Sequence, residues 1–322
     1  MPINVLFSAR TPRWSEYEAP LRAAFAEAGL DVDLRPAAGS TRVADAPPPH
    51  PAETVDYVIC APNGSVSDFR PFTRTKAVLN LWAGVEQIAP NETLTQPLTR
   101  MVDPGMTAGM VEWVTGHVLR HHLGMDPQIT DQSGTWAPVV PPLACDRPVT
   151  ILGMGELGRA CATALAGLGF PVTGWSRRQK ALDGVRCLSG AGGFEMALER
   201  AEILVLLLPL TAETEGLIDA DALARLPRGA VLLNPGRGAL VDDAALLAAL
   251  DSAQIGHATL DVFRTEPLPR EHPYWAHPRV TVTPHVASAT RPASASRAVA
   301  ENIRRGEAGA PFLHLVDRSA GY

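Results

Sequence analysis

The sequence lacks the features that mark several classes of protein. Its 322 residues include only four cysteines and no CxxC pair, which indicates free thiols in a reducing compartment. No apolar run approaches the length that crosses a bilayer, and the N-terminal MPINVLFSAR lacks the charged-then-apolar layout of a secretion signal. The net charge of -6 gives no indication of nucleic acid or an anionic membrane as a partner. We therefore expect a cytoplasmic protein that binds neither.

The sequence does contain a repeated alternation of strand and helix patterns. A hydrophobic fraction of 46% and a charged fraction of 19% are typical of a soluble globular protein, and the length suffices for two domains. The runs INVLFS, VDYVICAP and AVLNLWAG have strand length, and a helical pattern follows the first. A second series begins with VTILGMG and includes the continuous apolar run EILVLLLPL. These patterns predict an α/β fold of two Rossmann-like, doubly wound parallel-sheet domains.

The first motif, ILGMGELGRA, has glycines in the GxGxxG spacing between a predicted strand and a predicted helix. In dinucleotide-binding proteins the first glycine permits a tight turn, the second lets the backbone approach a pyrophosphate, and the third lets helix and strand pack closely. An ordinary βα turn is the alternative. We interpret the segment as a cofactor loop that consists of Gly153, Met154, Gly155, Glu156, Leu157 and Gly158.

The next predicted strand ends in GWSRRQK, where the residue that reads the cofactor ribose is expected. An acidic residue there binds the 2′-hydroxyl of NAD, whereas a nearby arginine accommodates the 2′-phosphate of NADP. Ser176 occupies the acidic position, and Arg177 and Arg178 follow it. A solvated basic loop is the alternative, but the missing carboxylate and the two arginines favour NADP, with NAD still possible.

Four polar residues follow later strands of the same predicted sheet. Arg237 comes after LLNPG, Asp261 and Glu266 come in LDVFRTEP, and His285 ends VTVTPH. The carboxyl ends of parallel strands meet at one edge, where open α/β sheets bind ligands. Each residue alone has a structural explanation as a carbonyl cap, a loop acid or a loop histidine. Their joint occurrence beside a nucleotide loop predicts an active site.

A metal site is not expected. His117 and His121 have the i, i+4 spacing of two ligands on one helix face, but no HExxH glutamate accompanies them.

The order of these motifs resembles that of the D-isomer-specific 2-hydroxyacid dehydrogenases. The segments LGMGELG, LLLPLTAETEGLID, LLNPGRGALVDDAALLAAL, LDVFRTEP and VTPHVASAT match the signatures of that family in order. GWSRR, DPGM with VEWV, and LPREHPYW resemble the glyoxylate/hydroxypyruvate reductase branch. The resemblance implies a substrate domain of residues 1–96 and 287–322, a dinucleotide-binding domain of residues 97–286, an active cleft between them, and a homodimer assembled through the cofactor domains.

The resemblance also implies roles for individual residues. Arg237, Glu266 and His285 fall on the family's catalytic arginine, glutamate and histidine. NLWAGVEQI falls on its substrate loop, where the backbone N–H groups of Ala83, Gly84 and Val85 hold the substrate carboxylate; Glu86 stands where the family usually has Asp. Further cofactor contacts are expected from Leu208, Pro209, Asn234, Pro235, Gly236 and Asp261.

The predicted reaction is reduction of a small 2-oxo acid, glyoxylate or hydroxypyruvate, by NADPH. His285 would donate the proton, Glu266 would orient and charge the imidazole, and Arg237 would bind the substrate in a bidentate manner. One alternative is a reductase for a larger substrate such as phenylpyruvate. Another is a nucleotide-sensing, corepressor-like binding protein, against which the intact catalytic residues argue. Formate oxidation is disfavoured because that branch carries Gln at position 266.

Overall fold

The structure, a computed structural model, describes residues 1–42, 46–130 and 133–318. The chain forms two compact units, one comprising Met1–Met106 with Thr290–Tyr322 and the other comprising Thr107–Ala289. In the described ranges no helix is both long enough and apolar enough to cross a membrane.

The strands and helices follow one another in the alternating order that the sequence predicts. The strands are β1 (Ile3–Ser8), β2 (Val32–Pro36), β3 (Tyr57–Cys60), β4 (Ala77–Asn80), β5 (Leu98–Thr99), β6 (Val149–Leu152), β7 (Val172–Ser176), β8 (Val185–Ser189), β9 (Ile203–Leu206), β10 (Ala230–Asn234), β11 (Ile255–Leu260) and β12 (Val280–Val282). The α-helices are α1 (Arg13–Glu27), α2 (Pro104–His122), α3 (Met125–Thr130), α4 (Glu156–Gly167), α5 (Gly190–Leu198), α6 (Ala220–Arg225), α7 (Asp243–Asp251) and α8 (Pro292–Glu307).

Each unit contains one parallel sheet. The first has the strand order β2-β1-β3-β4-β5, and the second has the order β12-β11-β10-β9-β6-β7-β8. Every strand pair in both sheets is parallel. The predicted fold class of two doubly wound parallel-sheet domains is confirmed.

The central strands are buried on both faces, as their continuous apolar sequences predict. All four residues of β9 are fully buried, and so are those of β6 apart from Thr150, which retains only 1% exposure. The hydroxyl of Thr150 donates to the backbone oxygen of Ala197, so its burial leaves no unpaired donor. In the first unit the rings of Trp14 and Tyr17 on α1 pack on Phe7 of β1, with centroids 5.6 and 5.7 Å apart. This packing seats α1 on the sheet.

The first unit extends beyond residue 96 because of the two-residue strand β5. Leu98 pairs with Val78 of β4, and the N–H of Arg100 donates to the oxygen of His314. The first unit continues to Met106. The assignment of substrate and cofactor roles to the two units stays a prediction.

His121, the second member of the i, i+4 histidine pair on α2, contacts β11 of the second sheet. His121 Nε2 lies 2.9 Å from Thr259 Oγ1, and His257 Nε2 lies 2.9 Å from Thr281 Oγ1. The two imidazole centroids are 4.9 Å apart. Among the described residues no cluster of three or more His, Cys, Asp or Glu side chains could hold a metal ion. Burial, with a smaller effect from neighbouring positive charge, lowers the pKa of His121 to about 3 and the pKa of His257 to about 4.

We expect the free energy of unfolding to fall as the pH decreases from about 7 towards 4. The unfolded chain takes up a proton at each imidazole near its ordinary pKa of about 6.5, whereas the folded chain resists this until near the lowered values. Each histidine therefore adds a slope of up to about 1.4 kcal/mol per pH unit within that window. Urea unfolding of the unmodified protein and of His257→Gln at pH 7, 6 and 5 measures the slope. Equal slopes in both proteins would contradict this explanation.

Candidate active site

The predicted catalytic residues follow three neighbouring strands of the second sheet. Arg237 comes after β10, Glu266 after β11 and His285 after β12, and these strands are adjacent in the order β12-β11-β10. All three strands are parallel, so their carboxyl ends lie at the same edge. The structure therefore brings the three residues to one side of one sheet, as expected.

Glu266 and His285 form a direct side-chain contact. Nδ1 of His285 lies 2.7 Å from Oε2 of Glu266, and both side chains are partly exposed, at 55% and 36%. The other Glu266 oxygen, Oε1, accepts from the N–H of Phe263 at 3.0 Å. This second bond restrains the carboxylate. The contact with Glu266 occupies Nδ1 of the imidazole, and Nε2 has no hydrogen-bond partner among the described residues.

The loop that carries His285 is held by the buried side chain of Asp261. The Asp261 carboxylate, which is 0% exposed, accepts from Thr283 Oγ1 at 2.6 Å and from the N–H groups of Val286 and Ala287 at 2.9 Å each. The N–H of His285 donates to the Asp261 backbone oxygen at 2.8 Å. His285 has a φ of 54°, a conformation that a non-glycine residue seldom adopts unless its surroundings enforce it. Asp261 thus shapes the histidine loop; its predicted cofactor contact stays a prediction.

Arg237 stands on a tight turn at the end of β10. Asn234 stabilises this turn: its Nδ2 donates to the Arg237 oxygen at 2.9 Å, and its Oδ1 accepts from the N–H of Gly236 at 3.1 Å. A Cβ on Gly238 would stand 2.0 Å from the backbone carbon of Phe263, so only glycine fits where this turn meets the loop after β11. The guanidinium of Arg237 is partly exposed, and its Nη1 donates to the Gly236 oxygen at 2.7 Å.

The GxGxxG segment has the predicted position between β6 and α4. Gly153 has a φ of 108°, and a Cβ on Gly158 would stand 1.8 Å from the Gly153 oxygen, so both positions require glycine. In the part of the chain that the structure describes, a Cβ on Gly155 would meet no heavy atom within 4 Å, and α4 has no side-chain cap at its N-terminus. In the sheet, β6 has β7 on one side and β9 on the other, so the strand order changes direction at β6. The loop after β6 therefore lies at the switch point where such sheets bind ligands.

Leu208 and Pro209 follow β9, the neighbour of β6, and Pro235 follows β10, the next strand. The remaining predicted cofactor residues therefore lie at the same edge of the sheet as the glycine loop.

The basic segment after β7 contacts a residue that the sequence did not indicate. Arg177 Nη1 lies 3.2 Å from Oε2 of Glu213, which belongs to the loop after β9. The Ser176 hydroxyl donates to the Arg178 oxygen at 2.8 Å, and both arginines are exposed. The Arg177–Glu213 contact joins positions 36 residues apart, so no local pattern could reveal it.

The segment predicted as the substrate loop follows β4 in the first unit. The oxygen of Trp82 accepts from Asn80 Nδ2 at 2.8 Å and from the N–H of Met101 at 3.0 Å. Asn80 Nδ2 also donates to the oxygen of Gly84 at 3.1 Å. Within residues 1–42, 46–130 and 133–318, no acceptor takes the N–H groups of Ala83, Gly84 or Val85. The sequence indicated this loop, and its segment NLWAGVEQI begins at Asn80, but the sequence did not indicate the contacts of the Asn80 side chain.

Comparison with known proteins decides the family. The family model for the D-isomer specific 2-hydroxyacid dehydrogenase, NAD binding domain, matches residues 116–287. The chain belongs to the D-isomer-specific 2-hydroxyacid dehydrogenase family. The predicted family and the prediction of an enzyme are both confirmed. This dehydrogenase is 42% identical over 257 residues to glyoxylate/hydroxypyruvate reductase A of Serratia proteamaculans, covering 77% of this chain and 82% of the relative. It is 40% identical over 255 residues to the Yersinia enterocolitica protein of the same name, with the same coverage.

Solved structures of other family members also resemble this dehydrogenase. A D-isomer specific 2-hydroxyacid dehydrogenase from Xanthobacter autotrophicus Py2, in complex with NADPH and MES, has a TM-score of 0.91 at 40% identity, with complete coverage of both chains. The NADPH-dependent glyoxylate/hydroxypyruvate reductase from Sinorhizobium meliloti, in complex with NADP and sulfate, has a TM-score of 0.83 at 34% identity, covering 99% of this chain and 100% of the other.

Proposed function

We propose that this dehydrogenase reduces a small 2-oxo acid, glyoxylate or hydroxypyruvate, with NADPH. The observation that carries the proposal is the 2.7 Å contact between His285 and Glu266. These two residues follow β12 and β11, and Arg237 follows the next strand of the sheet, β10. Relatives named glyoxylate/hydroxypyruvate reductase A, at about 40% identity, support the choice of substrate. A spectrophotometric assay of NADPH consumption with glyoxylate, hydroxypyruvate, pyruvate and phenylpyruvate tests the proposal directly.

The residues of the glycine loop fit a dinucleotide. Open space at Gly155 allows a pyrophosphate to approach the backbone, and the uncapped N-terminus of the 12-residue helix α4 offers N–H groups and a positive dipole end. Arg177 and Arg178 supply positive charge for a 2′-phosphate, while Ser176 adds no competing negative charge. Leu208, Pro209, Asn234, Pro235, Gly236 and Asp261 would complete the cofactor contacts. When bound, the nicotinamide supplies the hydride.

The protein side chains would handle the charge and the proton of the reaction. His285, held through Nδ1 by Glu266, would donate a proton from Nε2 to the carbonyl oxygen as it becomes an alcohol. Arg237 would bind the carboxylate and the carbonyl oxygen with two parallel N–H groups, a geometry that lysine cannot reproduce. The N–H groups of Ala83, Gly84 and Val85 would bind the substrate carboxylate.

A homodimer assembled through the second unit, the proposed dinucleotide-binding domain, is part of the proposal. Trp136, Val139 and Val140 are 94%, 81% and 89% exposed, an apolar segment that a second copy of the chain would cover. A cytoplasmic location stays a prediction.

The pairing of His285 with Glu266 predicts how the reduction rate depends on pH. The rate should fall at alkaline pH, as His285 loses the proton that it donates. In Glu266→Gln the fall should occur at lower pH, because a neutral amide no longer stabilises the imidazolium. The measurement is kcat/KM against pH, with Glu271→Gln on the same loop as control. A Glu266→Gln profile identical to that of the unmodified enzyme would argue against the pairing.

The basic segment after β7 predicts the cofactor preference. The unmodified enzyme should use NADPH better than NADH, and the double change Ser176→Asp with Arg177→Ala should shift the preference towards NADH. Loss of a charged hydrogen bond to the 2′-phosphate suggests a shift of about ten- to a hundred-fold in the ratio of the two kcat/KM values. Arg186→Ala, which removes an exposed arginine of β8, controls for net charge. Better use of NADH by the unmodified enzyme would overturn this assignment.

The position of Arg237 predicts a large loss of catalysis with little loss of stability. Arg237→Ala should lower kcat/KM by about two to four decades, since a charged bidentate contact in a water-poor site contributes about 3–5 kcal/mol. Arg237→Lys should recover part of this, and the Kd for NADPH should change little. Arg228→Ala is the matched control, because Arg228 lies before the same strand and also donates to a carbonyl, that of Ser252. A strongly lowered Tm of Arg237→Ala with nearly normal kcat/KM would show a structural residue instead.

A further inference from the structure

Asn80 is a buried polar residue at the end of a strand, beside the predicted substrate loop. It is the last residue of β4 and pairs with Cys60 of β3. Its exposure is only 1%, although the rest of the strand is apolar. A buried amide loses its hydration and needs partners inside the protein, so its contacts define what it does.

The contacts of Asn80 fix the orientation of its amide. Nδ2 donates to two backbone oxygens, those of Trp82 at 2.8 Å and Gly84 at 3.1 Å. Because both partners can only accept, the reversed amide would place oxygen against oxygen. In the described parts of the chain the buried Oδ1 has no hydrogen-bond partner. The side chain therefore leaves one acceptor unsatisfied while it holds the two carbonyls.

Holding these carbonyls also fixes the direction of two N–H groups. The peptide bonds after Trp82 and Gly84 are trans, since the cis bonds found in the described residues lie elsewhere. In a planar trans peptide the C=O and the following N–H point in opposite directions. With the Trp82 and Gly84 oxygens turned to Asn80, the N–H groups of Ala83 and Val85 point to the other side of the loop. These two donors have no acceptor in the described residues.

We propose that Asn80 is a positioning residue for substrate binding, which orients the N–H groups of Ala83 and Val85 towards the carboxylate of the 2-oxo acid. This inference rests on the proposed function. An apolar residue at position 80 would fill the same space without an unsatisfied oxygen, but it would leave the Gly84 carbonyl without this donor. The peptide after Gly84 could then rotate and turn one of the two N–H groups away from the substrate. The Trp82 carbonyl would still be held by Met101.

The test compares a charged and an uncharged substrate in Asn80→Leu. Glyoxylate has the carboxylate, whereas its methyl ester keeps the reacting carbonyl and lacks the charge. We expect kcat/KM for glyoxylate to fall about ten-fold, mainly through KM, as expected for weakened charge-assisted hydrogen bonds. The value for the methyl ester and the Kd for NADPH should each stay within about two-fold. If Asn80 had a purely structural role, its substitution would lower kcat/KM equally for glyoxylate and for the methyl ester.

Two further variants make the result decisive. Asn80→Ser keeps one hydroxyl donor and replaces Asn80→Leu in the test if that variant does not fold. Its kcat/KM for glyoxylate should lie between the values of the unmodified enzyme and of Asn80→Leu. Asn4→Leu is the matched control, because Asn4 lies on β1 of the same sheet and its Nδ2 donates to a loop carbonyl, that of Thr54, at 2.9 Å. Asn4→Leu should leave the ratio of the kcat/KM values for the two substrates unchanged.

Three outcomes would overturn the inference. The first outcome arises if the unmodified enzyme reduces glyoxylate with NADPH but a folded Asn80 variant keeps the same ratio of kcat/KM for glyoxylate to kcat/KM for the ester. This outcome contradicts the positioning role and leaves the proposed function intact. An equal change of the ratio in Asn4→Leu shows that the effect is not specific to the loop. Failure of the unmodified enzyme to reduce glyoxylate contradicts the proposed function and this inference together.

Discussion

The parallel alignment of β10, β11 and β12 is the constraint on which the candidate site depends. Parallel strands end at the same edge, so the residues that follow them are brought together however far apart they lie in the sequence. The three predicted catalytic residues use this edge, one after each strand. The glycine loop after β6 opens at the same edge of the same sheet. A sheet with one antiparallel strand among these would send one of the residues to the opposite edge.

Strand alignment brings the residues near one another, but buried polar side chains set the detailed geometry. Asp261 holds the histidine loop through three donors to its carboxylate, and His285 accepts an unfavourable φ within it. Asn234 stabilises the turn under Arg237 in the same way. Burial makes these bonds specific, because a buried group without its partner loses both water and the hydrogen bond.

In the first unit too, a strand places the loop and a buried polar side chain sets its detailed geometry. The apolar strand β4 brings the loop from Trp82 to Val85 to the end of the sheet, and the Asn80 amide selects which way its peptide groups face. Backbone N–H groups are suited to bind a carboxylate because they carry no side-chain entropy to lose, but only a fixed peptide plane keeps them directed. The packing of the strand and the polarity of one side chain thus act on the same loop.

The sequence by itself determined the family, the parallel α/β class and the strand ends that carry Arg237, Glu266 and His285. These rest on local signals: apolar runs of strand length, and glycines whose spacing reflects the contact of a helix with its own preceding strand. Only the tertiary structure decided the pairing of Arg177 with Glu213, the burial of Asp261 beneath the histidine loop, and the hold of Asn80 on its loop. The two-residue strand β5 was also invisible, since it has too few residues to show a period. Hydrogen-bond partners are chosen by proximity in space, and an isolated polar residue in an apolar run does not indicate which distant carbonyl or carboxylate it will meet.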